Sequence, residues 1–182
     1  MRYFTNELWC KSNSENPAER DAADLEWINN IEAYKAYLHS IEKKIPRSTW
    51  NAIYEITEVV SLHDFDIMNI SFCPEPASKR TCRLQLTDGV TNVDLIMQGV
   101  TRLCVEAEFS KGDELMGLRW GYCEFFYKKP QIELSILCDS GHIWQFEFSS
   151  LSIEKSTEEM PKNKRRGIIK GKSKTLSRFF SK

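Results

Sequence analysis

The stretch SLHDFDIMNISF sets His63 beside Asp64, with Asp66 two positions further on. An imidazole can take or give a proton near neutrality, and a carboxylate can hold it in one orientation. Hydrolysis by such a pair also needs a nucleophile. Ser61, Ser71 and Cys73 are near in sequence, but no G-x-S-x-G or similar setting singles one out. A metal centre needs more ligands, and the remaining histidines are His39, on a helical stretch, and His142, at a turn. A His63/His142/Asp64 site is the metal arrangement open to this chain. The alternation after His63 argues against a dyad, because neighbours on a strand point to opposite faces. Asp64 is therefore expected to bond its own backbone in an Asx turn, with His63 donating to a nearby carbonyl. If there is a catalytic pair it is His63 and Asp64. The reading made here is that there is none, with no cofactor and no bound metal.

Other chemistry is equally sparse. There is no G-x-x-x-x-G-K-[ST] and no G-x-G-x-x-G after a strand. Glu106, Glu108, Asp113 and Glu114 cluster, but without the D-x-[DN]-x-[DN]-G order of a calcium loop, so they read as acidic surface. The opening RYFTNELW is rich in large apolar side chains where chain ends ordinarily fray. It is expected to be tied across the core as an anchoring strand or turn, the alternative being an aromatic patch for a partner. Tyr3, Phe4 and Trp9, with Glu106 and Glu108, are the candidate partner-binding residues.

Charge is unevenly placed. Nine of the 25 bases fall between Pro161 and Lys182 with no acid among them, leaving 16 bases against 26 acids in residues 1–160, a net of −10. The basic segment, with Lys164, Arg165, Arg166, Lys170, Lys172, Lys174 and Arg178, is a candidate contact for nucleic acid or an anionic membrane surface. The six cysteines include no C-x-x-C pair, and MRYFTNELWC runs straight into polar residues with no apolar leader. Reduced, structural cysteines and a cytoplasmic location are the expectation.

The elements that position these residues follow from periodicity. Trp27, Ile31, Tyr34, Leu38, Ile41 and Ile45 make one apolar stripe on a helix predicted over Pro17–Lys44, stopped by Pro46. RSTWNAIYEITEVV predicts a second helix with Ser48 as its cap. Period two then takes over. Met68, Ile70 and Phe72 form one strand face; Cys82, Leu84 and Leu86 face Val93, Leu95 and Met97 across Asp88-Gly89; Leu103 and Val105 continue the series. Ile132, Leu134 and Ile136 are predicted opposite Trp144, Phe146 and Phe148. The fold class is therefore α+β, with N-terminal helices followed by a six- to seven-stranded, mostly antiparallel sheet or half-barrel. One domain is expected over residues 1–155, helical in 17–60 and β in 65–155. SLSIEKSTEEMPKNKRR onward reads as the start of a flexible basic tail, 156–182.

The start Tyr3-Phe4-Thr5-x-Glu7, the Leu62-His63-Asp64 element ahead of the strands, and the ending IELSILCDSGHIWQFEF together resemble a family of small bacterial proteins classed as a domain of unknown function. The likeness spans roughly residues 1–155 and leaves the basic tail outside. It implies a cytosolic bacterial protein with the α+β layout, and no activity. The Leu-His-Asp element is also similar to one in immunity-type proteins of bacterial toxin systems, which implies a protein partner. The expected function is accordingly that of an interaction protein whose acidic α+β domain binds one partner. Nucleic-acid or membrane binding by the tail is the alternative, and a His/Asp hydrolase or metal enzyme the remaining one.

Overall fold

The computed structural model describes residues 1–73, 80–106 and 118–157. Three helices precede eight strands: α1 (Asn6–Ser12), α2 (Pro17–Ile41), α3 (Arg47–Tyr54), β1 (Asp66–Cys73), β2 (Thr81–Thr87), β3 (Thr91–Gln98), β4 (Arg102–Glu106), β5 (Trp120–Lys128), β6 (Gln131–Cys138), β7 (Ile143–Phe148) and β8 (Ser150–Thr157). Asn16 caps α2 through Ala18 N–H, with Pro17 in the first turn, and the apolar stripe ends in buried Tyr34, Leu38, Ile41 and Ile45. At α3 the cap position is Pro46 rather than Ser48, which lies inside the helix. The β-branched run after Tyr54 is a single π-turn, Glu55–Val59. α1 occupies the opening segment expected to be a strand or turn, and Thr5 caps it by accepting from Leu8 N–H at 3.2 Å.

The strands form two antiparallel four-stranded sheets, ordered β1-β2-β3-β8 and β4-β7-β6-β5, instead of one sheet of six or seven. The division comes from two bent ribbons. β3 passes into β4 through Gly99–Thr101 while β7 passes into β8 through Ser149. The backbone stays paired across the bend, with Ser149 N–H to Gln98 O and Thr101 N–H to Glu147 O, each 2.9 Å. Gly99 makes the corner with φ +65°, and a Cβ there would lie 2.5 Å from Ser149 Oγ. The extra strand, β8, is the segment read from sequence as the approach to the tail. It pairs along all of β3, and only Leu151 of its side chains is fully buried.

The predicted pairings hold. Leu86 faces Val93, Leu84 faces Leu95 and Cys82 faces Met97 in one sheet; Ile132 faces Phe148, Leu134 faces Phe146 and Ile136 faces Trp144 in the other. These side chains supply most of one core between the sheets. β6 is buried along nearly its whole length, as befits a strand covered on both faces.

Two sheet edges are capped by helices. Tyr34 and Tyr37 of α2 accept the outward N–H groups of Phe125 (2.6 Å) and Tyr127 (3.0 Å) on β5. Thr49 of α3 accepts from Leu151 N–H of β8 at 3.3 Å. An uncapped edge offers a row of free backbone groups to any passing strand, and these hydroxyls occupy some of them.

Candidate functional site

The site begins at the seam where helix gives way to strand. Leu62 and Phe65, both buried, pin residues 62–65 to the core. Asp64 N–H donates to Trp120 O (2.9 Å) and Phe65 N–H to Leu62 O (3.0 Å), and Trp120 N–H returns to Phe65 O (2.8 Å). The turn this makes holds Asp64 at φ +71°, the left-handed region that Asp tolerates better than most residues. In that conformation the opposite-face rule for strands does not apply. His63 Nδ1 lies 3.1 Å from Asp64 Oδ2, so the two neighbours do form a pair. The turn expected at Asp64 is there, but the expectation that the two side chains diverge, with His63 bonded to a carbonyl, is corrected: β1 starts only at Asp66, so the strand rule does not reach residues 63–64.

His63 packs edge-on against the Tyr122 ring at 5.0 Å between centroids. Tyr122 is set there by a bulge between Trp120 and Tyr122, whose extra residue, Gly121, has no room for a side chain: a Cβ would meet Leu137 O at 2.7 Å. Beside it a cavity of about 280 Å³ runs between α2, residues 56–63 and the start of β5. Phe4, Trp27, Ile31, Tyr34 and Tyr122 supply its apolar walls, with His63 and Cys123 also lining it. His63 Nε2 is shut off from solvent and has no hydrogen-bond partner. Burial pushes the Tyr122 hydroxyl up to about 12, with the Asp64 charge adding to it. The Cys123 thiol is also pushed up to about 12, by burial and then by the charge of Glu124. Burial likewise holds the Tyr34 hydroxyl well above its ordinary range. All three are therefore neutral at ordinary pH, and Cys123 has little nucleophilic thiolate to offer.

The wall at Phe4 is fixed by an arrangement the sequence reading missed. Glu124, fully buried on β5, accepts three consecutive backbone N–H groups, from Arg2 (2.6 Å), Tyr3 (2.7 Å) and Phe4 (2.6 Å). Asn30 of α2 donates to Tyr3 O at 2.9 Å. The signal was in RWGYCEFFYK, where one acid interrupts an otherwise aromatic strand: a buried carboxylate there requires donors.

The candidate residues separate as follows. Phe4 is buried against Trp27, Tyr34 and Tyr122, so it is an internal anchor and presents no surface to a partner. Tyr3 is half-buried among Tyr34, Tyr37 and Phe126, and Trp9 half-buried against Tyr122. His142 is at the β6–β7 turn with Ser140 Oγ 2.9 Å from its Nδ1, and it is not gathered with His63 and Asp64. Among the described residues no group of three His, Cys, Asp or Glu side chains is placed to hold a metal ion. Glu106 ends β4, while Glu108, Asp113, Glu114 and the basic residues Lys164, Arg165, Arg166, Lys170, Lys172, Lys174 and Arg178 lie outside the described residues. All six cysteines are free thiols. Among the described residues no helix is long and apolar enough to cross a membrane.

A second surface feature lies where β1 and β4, the remaining sheet edges, approach each other. Phe72 is paired with Cys82 and Leu103 with Phe146, positions that put both on core-facing sides of their sheets. Yet Phe72 is 47% exposed, and Leu103 and Val105 are 38% and 36% exposed. Met68, expected on the buried face, is 57% exposed because β1 bulges between Ile67 and Asn69. A groove of about 350 Å³ lies between the edges, lined by Phe72, Cys73, Arg80, Val100, Thr101, Arg102 and Leu103.

No family model matches the chain, and no curated protein matches it. Among solved structures, an uncharacterized protein from Neisseria gonorrhoeae is similar over 50% of this chain and 91% of its own, at 18% identity and a TM-score of 0.40.

Proposed function

We propose that this domain is a protein-interaction module that receives an extended segment of a positively charged partner at the β1–β4 groove. The observation that carries the reading is the contrast between edges. Phe125 and Tyr127 of β5 and Leu151 of β8 have their outward amides capped by helix hydroxyls, whereas β1 and β4 carry exposed Met68, Phe72, Leu103 and Val105, with Phe72 and Leu103 lining a groove. Strand addition to an edge supplies main-chain hydrogen bonds for affinity and side-chain pockets for selectivity. The net charge of −10 over residues 1–160 favours a basic partner and speeds encounter with it. A basic toxin domain held by an immunity protein is a pairing of this kind. Binding rather than catalysis is supported by the Cys123 thiol, which lines the cavity with His63 but is pushed up to about 12 by burial and so holds little thiolate.

The test is capture of a partner by the full chain, followed by hydrogen exchange of the complex. Protection concentrated on β1 and β4, lost in Phe72→Lys and Leu103→Lys variants that melt like wild type, is the expected result. A partner that protects other strands, or binds both variants as tightly as the parent, refutes it. Retention of binding only when residues 158–182 are present would favour the tail instead.

A further inference from the structure

The cavity between α2 and β5 is separate from that groove, and its place in the fold decides what can reach it. α3 and the π-turn after it run alongside β8. Thr49 accepts from Leu151 N–H at 3.3 Å, and Glu55, the first residue of the turn, is bonded to Lys155. The rest of that turn and the residues following it, 56–61, form one wall of the cavity. β8 closes at Thr157, two residues and about 7 Å of strand beyond Lys155, so it delivers the chain to the cavity's rim. Val59 lines the cavity there and is 58% exposed although apolar. Residues 158–182, outside the described residues, carry nine bases, and among them are Ile168, Ile169, Leu176, Phe179 and Phe180.

We infer that this cavity receives the chain's own basic tail, with the pair Phe179-Phe180 as the inserted group. Size, reach and charge each favour that occupant. A dry cavity of about 150 Å³ accepts one benzene ring, so about 280 Å³ has room for about two, and Phe179-Phe180 is the adjacent pair of rings in the tail. Phe4, Trp27, Tyr34 and Tyr122 give that pair aromatic walls to pack on. From Thr157 to Phe179 the chain advances 22 residues, a reach of up to roughly 70 Å, more than the width of a domain this size. A tether that spans the distance holds its end at a roughly millimolar effective concentration, an advantage no separate molecule has. The helix beside the cavity is acidic: α2 carries five acids against Arg20 and Lys35, and Lys35, which lines the cavity, has Glu32 at 3.8 Å. Glu58 lines the cavity from the other side. The bases flanking the two rings therefore meet a surface of opposite sign.

The test is photocrosslinking in the dilute full chain with p-benzoylphenylalanine in place of Phe180, joined to hydrogen exchange of the chain without it. Crosslinks mapped by mass spectrometry are expected within one molecule, on residues 27–38 of α2 or on 56–63. Ile31→Trp, which fills the cavity, should remove most of them. In the exchange arm, the double variant Phe179→Ser, Phe180→Ser alters no residue of the described domain. Its residues 56–63 are expected to exchange roughly threefold or more faster than in the parent, because the rings no longer cover them. Crosslinks joining two copies assign the cavity to a neighbour's tail and overturn the inference. Crosslinks on the β1–β4 groove, or crosslinks that persist in a folded Ile31→Trp protein, do the same. Should Ile31→Trp fail to fold, or the benzophenone be too large to enter and give no crosslink, the exchange arm decides: residues 56–63 exchanging alike in parent and double variant refute the docking.

Discussion

Removal of the Glu124 carboxylate is the sharpest perturbation this structure offers. Its two oxygens take the N–H groups of Arg2, Tyr3 and Phe4 at 2.6–2.7 Å. In Glu124→Ala, Tyr3 and Phe4 keep their ring contacts, so the segment has a reason to stay where it is. The cost is then set by donors left facing a void, about 1–3 kcal/mol for each one fully buried. Phe4 N–H is buried whereas those of Arg2 and Tyr3 are partly buried, which brings the total to about 2–4 kcal/mol. For a chain of this size that is a melting-temperature loss of roughly 5–15 °C. Glu124→Gln keeps an acceptor for Tyr3 and Phe4 but turns an amide NH₂ toward Arg2 N–H, so about half the loss is expected. Urea titration at constant slope measures the free energy, and amide exchange of residues 2–4 reports the clamp itself. A Glu124→Ala protein within about 0.5 kcal/mol of wild type, or one whose residues 2–4 exchange as slowly as before, refutes the reasoning.

Two further predictions rest on single contacts. Tyr34→Phe strands the buried Phe125 N–H and should cost about 1–3 kcal/mol, while Tyr37→Phe, at a half-buried bond to Tyr127, should cost about 1 kcal/mol or less; equal losses by urea denaturation would show that burial is not the deciding factor. Cys82 and Cys138, both fully buried, have thiols pushed up to about 12 by burial, from near 9 in the unfolded chain. The folded protein therefore keeps protons that the unfolded chain has lost: stability is complete below pH 9 and falls as the pH climbs toward 12, by about 1.4 kcal/mol per pH unit for each thiol. Cys82→Ala should lower stability at pH 8 yet lessen its decline above pH 9, and an unchanged decline in denaturation series across that range would sink the account.

What the sequence disclosed divides by the kind of regularity each segment has. The α2 stripe and the pairings of β2 with β3 and β6 with β7 were legible because one periodicity runs unbroken through each, and a one-residue slip would turn every apolar side chain to water. The two-sheet division was not legible. The bend at Gly99 depends on a corner facing Ser149, 50 residues away in sequence, and no local pattern announces it. β8 escaped because its charged and hydroxyl residues, Ser152, Glu154 and Ser156, face outward with only Leu151 fully buried and Ile153 partly so, a composition shared with a solvated tail. Glu124 had a readable signal, an acid in an aromatic strand, but its donors come from the opposite end of the domain and only the fold supplies them.

The His63–Asp64 pair failed for a different reason, and the reason bears on where sites should be sought. The rule that adjacent residues diverge belongs to strands, and a corresponding rule belongs to helices; both presuppose that the residue sits inside a regular element. Residues 60–65 lie between a π-turn and β1 and obey neither. There the backbone is free to take φ +71°, and that freedom brings two adjacent side chains onto one another while Leu62 and Phe65 hold the turn from both sides. A seam between periodicities, fixed by buried neighbours, is thus both the place where sequence pattern is least informative and the place where unusual side-chain geometry is cheapest to hold. His63 has its orientation from Asp64 and its walls from α2 and β5 because no single periodic element had to accommodate it.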